Sequence, residues 1–109
     1  HGTATPLNDQ IESKVVHRLF GDQVPSSSTK HLTGHTLGAA GVIEAAIAAL
    51  ILRDGLPLPP QDFSTATQDT SLPDCGLLLA PQKLQKPVIA SNSFAFGGNN
   101  SCLILGRTL

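Results

Sequence analysis

The sequence predicts an α/β fold, and three observations carry that reading. Apolar residues recur at helical spacing in two stretches, 11–20 and 37–51. Three short runs at 76–80, 87–91 and 101–106 have the length and composition of strands. The order loop–α–β–α–loop–β–β–β interleaves the two kinds of element. A chain of 109 residues has room for one domain with a modest core.

Residues 1–8 form a polar loop with Thr3, Thr5 and Pro6. Asp9 offers an N-cap, and Glu12 three residues on completes a capping-box-like pair. Ile11, Val15, Val16, Leu19 and Phe20 then give an amphipathic helix that Gly21 ends. Val24 to Thr29 is a short strand candidate leading to Lys30. After a turn at Gly34, a second helix is predicted from His35 or Thr36 to Arg53. Leu37, Val42, Ile43, Ile47, Leu50 and Ile51 with intervening alanines make it apolar nearly all round, so it should be buried on most faces. A domain this small rarely encloses a helix, which implies further layers from additional chain or a partner. Pro57, Pro59 and Pro60 open an irregular surface segment reaching Pro73. The three strand candidates follow, with a turn at Asn92–Asn100 between the last two.

Composition excludes several functions. A net charge of −1 with 14% charged residues gives no electrostatic footprint for nucleic acid or an anionic membrane. All four aromatics are Phe, which argues against a base-stacking platform. The apolar run from Thr36 to Leu52 is short for a bilayer span and carries Glu44. Cys75 and Cys102 lack Cys-x-x-Cys spacing, so a reducing cytoplasm is the expected location. The chain begins with His and contains no Met, and is expected to be a piece of a longer protein.

The candidate chemistry lies in a few residues. His35 stands where a turn enters a helix, and an imidazole there can stay neutral and donate to a carbonyl that gains negative charge. Gly34, Gly38 and Gly41 would let another backbone or an acyl-carrier arm approach closely. The structural alternative is a helix-packing motif with a histidine near its cap. His1, followed by Gly2 and Thr3, would alone read as a surface histidine. His31 and His35 are four apart, but Thr33-Gly34 between them argues for a turn, and no Cys or carboxylate is spaced to complete a metal site. His17 reads as solvent-facing. Lys30 and Glu44 are the charges nearest the apolar helix, and an ion pair between them is expected because a buried carboxylate requires a partner. In the turn, Gly97 and Gly98 could free backbone N–H groups to act as an oxyanion hole, and Phe94 and Phe96 could shield a thioester. The alternative is a hairpin turn whose aromatics plug the core. Neither cysteine has the cationic setting of a nucleophile.

Together, His-Gly-Thr-x-Thr at 1–5, Ser-Ser-Thr-Lys at 27–30, Gly-His-x-Leu-Gly-Ala-Ala-Gly at 34–41 and Asn-Ser-Phe-x-Phe-Gly-Gly at 92–98 are far more specific than any one alone. The sequence resembles the C-terminal half of a β-ketoacyl-(acyl carrier protein) synthase, a fatty-acid-type condensing enzyme of the thiolase-like superfamily. That resemblance implies a layered αβαβα fold. Residues 1–109 would supply most of its C-terminal half as an incomplete domain, with the nucleophile cysteine in an N-terminal half. It implies joining of an acyl thioester to malonyl-acyl carrier protein with loss of carbon dioxide, for fatty acid or related polyene or polyketide synthesis.

By the same resemblance, His1 and His35 bind the malonyl thioester carbonyl and Lys30 is the family's lysine, supported by Glu44. The Phe96 N–H would belong to the oxyanion hole, with Phe94, Phe96, Gly97 and Gly98 forming a gate. Thr3 and Thr5 would touch the phosphopantetheine that carries the substrate on acyl carrier protein. No metal and no cofactor held by the chain itself is expected. Expected partners are acyl carrier protein, the N-terminal half, and an identical or related subunit, while a separate 109-residue piece should be inactive. A non-catalytic subunit of the chain-length-factor kind is the alternative, less expected because both histidines and Lys30 are retained. An unrelated module binding an anion at the helix start by His35 is a third reading. Ala95 and Asn99 depart from the more usual glycine and threonine, resembling a subgroup associated with aryl-polyene or other specialised acyl chains.

Overall fold

The computed structural model describes residues 1–108. Three α-helices occur in these residues: α1 (Pro6–Phe20), α2 (Lys30–Thr33) and α3 (Ala40–Asp54), the last preceded by a 3-10 turn at Leu37–Ala39. Two strands follow, β1 (Val88–Phe94) and β2 (Asn100–Gly106), paired antiparallel from Val88↔Gly106 to Phe94↔Asn100. The chain divides into two compact units. One comprises His1, 35–58 and the residues from 82 onward; the other comprises 2–34 and 59–81.

In the first unit α3 packs on the hairpin of β1 and β2. Ala40, Ala48, Ile51 and Leu52 are its buried residues, spaced to lie on one helical face. Gly41 brings the start of α3 tightly onto β1, since a side chain there would stand 3.3 Å from Ser93 Oγ. At the far end Arg107 donates to the carbonyls of Leu52 (3.2 Å) and Arg53 (3.1 Å), and Lys83 to that of Gly55 (3.1 Å). These cations satisfy carbonyls that a helix terminus leaves without partners and oppose its negative pole. Val42 is 74% exposed and Leu50 is exposed too, so within these residues α3 keeps the uncovered apolar faces for which the sequence implied further layers. A single two-stranded hairpin covers only one side of a helix.

In the second unit the prediction for α1 shifts. The helix begins at Pro6 with Thr5 at the N-cap position, rather than at Asp9. Proline fits the first turn, where its missing N–H costs nothing. Glu12 therefore completes no capping box, and instead accepts from Gly2 N–H (2.9 Å) and Asn8 Nδ2 (3.1 Å). Ser13 is the buried residue of α1, its hydroxyl donating to Asp9 O at 2.6 Å. The stripe expected to face inward, including Ile11, Val15, Leu19 and Phe20, is exposed.

The strands expected at Val24–Thr29 and Gly76–Ala80 reduce to one parallel bridge, Ser26↔Leu77, closed by Ser26 N–H to Gly76 O and Leu78 N–H to Ser26 O, both 2.9 Å. Prolines at 25, 59, 60 and 81 remove donors a ladder would need. Side chains take over the pairing: Ser27 Oγ donates to Pro59 O, and Ser28 N–H donates to Gln61 Oε1. Lys30–Thr33, expected only as a lead-in, forms one helical turn that Gly34 closes by donating to Lys30 O at 2.8 Å.

Candidate active site

His35 leaves the turn after Gly34 and precedes the 3-10 turn that enters α3. Its Nδ1 accepts a hydrogen bond from Leu37 N–H at 3.1 Å. An acceptor nitrogen must hold a lone pair, so the ring is neutral with its proton on Nε2, leaving Nε2–H as the free donor. The His1 ring lies edge-on to His35, centroids 5.5 Å apart at 88°. It also lies edge-on to Phe94, again 5.5 Å away, at 63°. Two imidazoles and one phenyl edge thus meet where the last residue of β1 approaches the entry to α3. Sequence reading extended the β1 turn over Asn92–Asn100, whereas pairing continues through Asn92↔Cys102, Ser93↔Ser101 and Phe94↔Asn100. Phe94 is therefore held by a strand, which fixes it against His1.

The turn itself is Ala95–Asn99, closed by Ala95 N–H to Asn99 O at 2.8 Å. Gly97 and Gly98 have φ of 83° and 80°, a left-handed pair that side chains would strain. Phe96, at the tip, is 100% exposed. Glu44 is half-buried on α3.

In the other unit Lys30 is 8% exposed and opens α2. Thr3 Oγ1 and Thr5 Oγ1 are 2.8 Å apart, so one hydroxyl donates to the other and the second proton is available outward. Gly2 has φ of 55°, and Ser28 Oγ donates to its carbonyl at 3.0 Å. Structure therefore brings together His1, His35 and Phe94, and assigns Lys30, Thr3 and Thr5 to the second unit. Sequence reading missed Leu37, Ser28 and Gln61 as supports. Ser28 and Gln61 sit in segments with no periodicity, and leucine carries no signal for the left-handed backbone that Leu37 adopts (φ 55°). Among the described residues, no three His, Cys, Asp or Glu side chains gather as a metal site. No helix there is long and apolar enough to cross a membrane.

The family model described as beta-ketoacyl synthase, C-terminal domain, matches residues 1–63, and the chain belongs to this family. Among its relatives, 3-oxoacyl-[acyl-carrier-protein] synthase 2 of Coxiella burnetii is 39% identical over 113 aligned positions, covering 98% of this chain and 26% of the relative. The synthase 1 of Escherichia coli is 37% identical, with the same coverage of each chain. A solved chain titled as a ketosynthase (ApeO) in complex with its chain length factor (ApeC), from Xenorhabdus doucetiae, superposes with a TM-score of 0.97 at 59% identity. That match covers 99% of this chain and 27% of the solved one. The fold is thus the thiolase-like α/β fold expected. The chain spans about a quarter of the length of the curated relatives it matches.

Proposed function

We propose that this chain is the C-terminal part of a condensing enzyme that joins an acyl thioester to malonyl-acyl carrier protein, with decarboxylation, to give a 3-oxoacyl-acyl carrier protein. The observation that carries the reading is the edge-on pair of His1 and His35, with His35 presenting Nε2–H. Loss of carbon dioxide from a malonyl thioester leaves an enolate whose charge rests on the thioester oxygen. Donors aimed at that oxygen stabilise the developing charge more than the ground state, which is what lowers the barrier. His1 and His35 are the proposed donors, and Phe94 holds the His1 ring in place.

The enolate carbon then attacks the acyl group on a cysteine that this reading puts outside residues 1–109, and as the carbon–carbon bond forms the acyl–sulfur bond breaks and the cysteine leaves as thiolate. The second oxyanion is assigned to Phe96 N–H, on a turn whose Gly97-Gly98 backbone lets it swing. Lys30, with Glu44 as its support, is the proposed cation of the site. Thr3 and Thr5 are proposed to meet the phosphopantetheine arm of acyl carrier protein, the substrate carrier. No resident cofactor is called for by this chemistry. An N-terminal half, an identical or related subunit and a cytoplasmic location complete the proposal; a separate 109-residue piece is expected to be inactive.

A second reading, a non-catalytic subunit of the chain-length-factor kind, is favoured by one observation: the solved relative comes from a ketosynthase–chain length factor complex. Retention of both histidines and Lys30 favours the catalytic role. The test is release of labelled carbon dioxide from malonyl-acyl carrier protein by the protein that carries this chain. The proposal expects turnover, cut roughly a hundredfold or more by His35→Ala and by His1→Ala. Turnover unaffected by both substitutions, or none without a ketosynthase partner, would replace it with the second reading.

A further inference from the structure

The chain carries seven Lys and Arg against eight Asp and Glu, a net charge of −1. Three of those cations, Lys83, Lys86 and Arg107, nevertheless line one cleft of about 320 Å³, and none of the acids does. The cleft lies wholly within the first unit, at the C-terminal end of α3. The 15 residues of that helix, roughly 22 Å at 1.5 Å each, separate it from the His35 end. Most of the remaining lining is apolar: Ile51, Leu52 and Leu56 from the end of α3, Leu84 and Pro87 from the segment leading into β1. Backbone bonds hold these segments together, Leu58 N–H to Gln82 O at 2.7 Å and Arg107 N–H to Pro87 O at 2.9 Å. The negative pole of α3, roughly half an elementary charge, would oppose an anion here. Its last carbonyls are already met, however: Ile51 O by Leu56 N–H, Leu52 O and Arg53 O by Arg107 Nη1, and Gly55 O by Lys83. Asp54, whose charge Arg107 feels, is neutralised by Arg53 through contacts of 2.7 and 2.9 Å. Three full positive charges therefore prevail in the cleft. Arg107 Nε and Nη2 and the Lys86 ammonium make no bond among the described residues.

We propose that this cleft binds a small amphiphilic anion: an alkyl carboxylate whose head meets Lys83, Lys86 and Arg107 while its tail lies on Ile51, Leu52, Leu56 and Leu84. Each half of the lining calls for one half of that ligand. The Arg107 Nε–Nη2 edge presents paired donors that match a planar carboxylate, and the tail removes apolar surface from water. The volume is at the low end of the roughly 300–1,000 Å³ of small-molecule sites, so it suits a short chain rather than a folded partner. The inference does not depend on the proposed function, and its readout is not activity. The test is methyl NMR of Leu56 and Leu84 in the protein that carries this chain, titrated with decanoate. Both residues should shift saturably. Acetate has the head without the tail, and decyltrimethylammonium has the tail with the opposite charge; each should bind at least about tenfold more weakly. Octanoate, shorter by two CH₂ groups, should bind about fifteenfold more weakly, or about fourfold for each group lost. Lys86→Glu changes an exposed side chain that holds nothing in the fold, and should weaken decanoate about fivefold or more. Methyls that ignore decanoate overturn the proposal, including the case in which another part of the protein covers the cleft. An equal response to decyltrimethylammonium overturns it too, leaving only an apolar surface. So does undiminished decanoate binding by the Lys86→Glu and Lys83→Glu/Lys86→Glu proteins.

Discussion

Replacing Gly2 by alanine should damage the loop that carries His1, and the cost can be apportioned. A methyl group at Gly2 would stand 2.4 Å from Ser28 Cβ and 2.6 Å from its Oγ, with Ser28 Cα next at 3.8 Å. The near atoms belong to the root of a short side chain that also accepts from Lys30 N–H at 3.4 Å, so it has little freedom to retreat. Overpacking of this kind costs about 1–3 kcal/mol. Holding alanine at φ of 55° adds about 1–2 kcal/mol. Gly2→Ala should therefore destabilise by roughly 2–5 kcal/mol. Ser28→Gly removes both clashing atoms. In that background Gly2→Ala should cost only the conformational part, about 1–2 kcal/mol. The expected coupling between the two sites is then about 1–3 kcal/mol, well beyond the roughly 0.5 kcal/mol scatter of independent sites. Urea unfolding of the protein that carries this chain, with both single variants and the double, measures it. Equal costs of Gly2→Ala in the two backgrounds would refute the steric argument and leave only backbone strain.

Three further predictions follow from other contacts. Thr29 Oγ1 is buried without a hydrogen-bond partner among the described residues, so Thr29→Val should be neutral or stabilise by about 1 kcal/mol in urea unfolding. Arg107→Ala withdraws the cation from the last carbonyls of α3 and should cost about 0.5–1 kcal/mol; faster amide exchange confined to the last turn of α3 would locate the loss. Asp69 accepts from the hydroxyl and N–H of Ser71, and these bonds hold its carboxyl below the usual range. A depressed pKa means the turn is intact above about pH 4 and loosens only as acid brings the pH down through the lower folded value. The Ser71 amide shift should accordingly titrate with a midpoint below that of an ordinary aspartate, a displacement that Asp69→Asn abolishes.

The parts of this fold that the sequence announced are those with uninterrupted period. Apolar recurrence placed α1 and α3, and the Val-Ile and Leu-Ile-Leu runs placed β1 and β2. What stayed hidden depends on contacts made by other segments. A strand at 24–29 is reasonable from local preference, yet the segments beside it are too proline-rich to extend the pairing. Polar Asn92 and Ser93 read as turn until Ser101 and Cys102 pair with them. The family motifs made His1, His35 and Phe94 legible as candidates. Their meeting depends on α3 settling against β1, and the orientation of His35 depends on a backbone conformation that a leucine does not advertise.

The His1–Phe94 contact joins residues 93 positions apart, among the longest separations this chain offers. Closing a loop costs entropy that grows with length, by about 0.6 kcal/mol for each doubling, and that cost is met before the contact returns anything. Edge-on ring contacts are too weak to nucleate such a closure by themselves. The hairpin, with its ladder closed over only five turn residues, and α3, with purely local hydrogen bonds, are expected to form first. His1 then docks onto a surface already built. A folding intermediate with native hairpin and helix would consequently still lack its histidine pair, so recovery of the pair is the stricter measure of complete refolding.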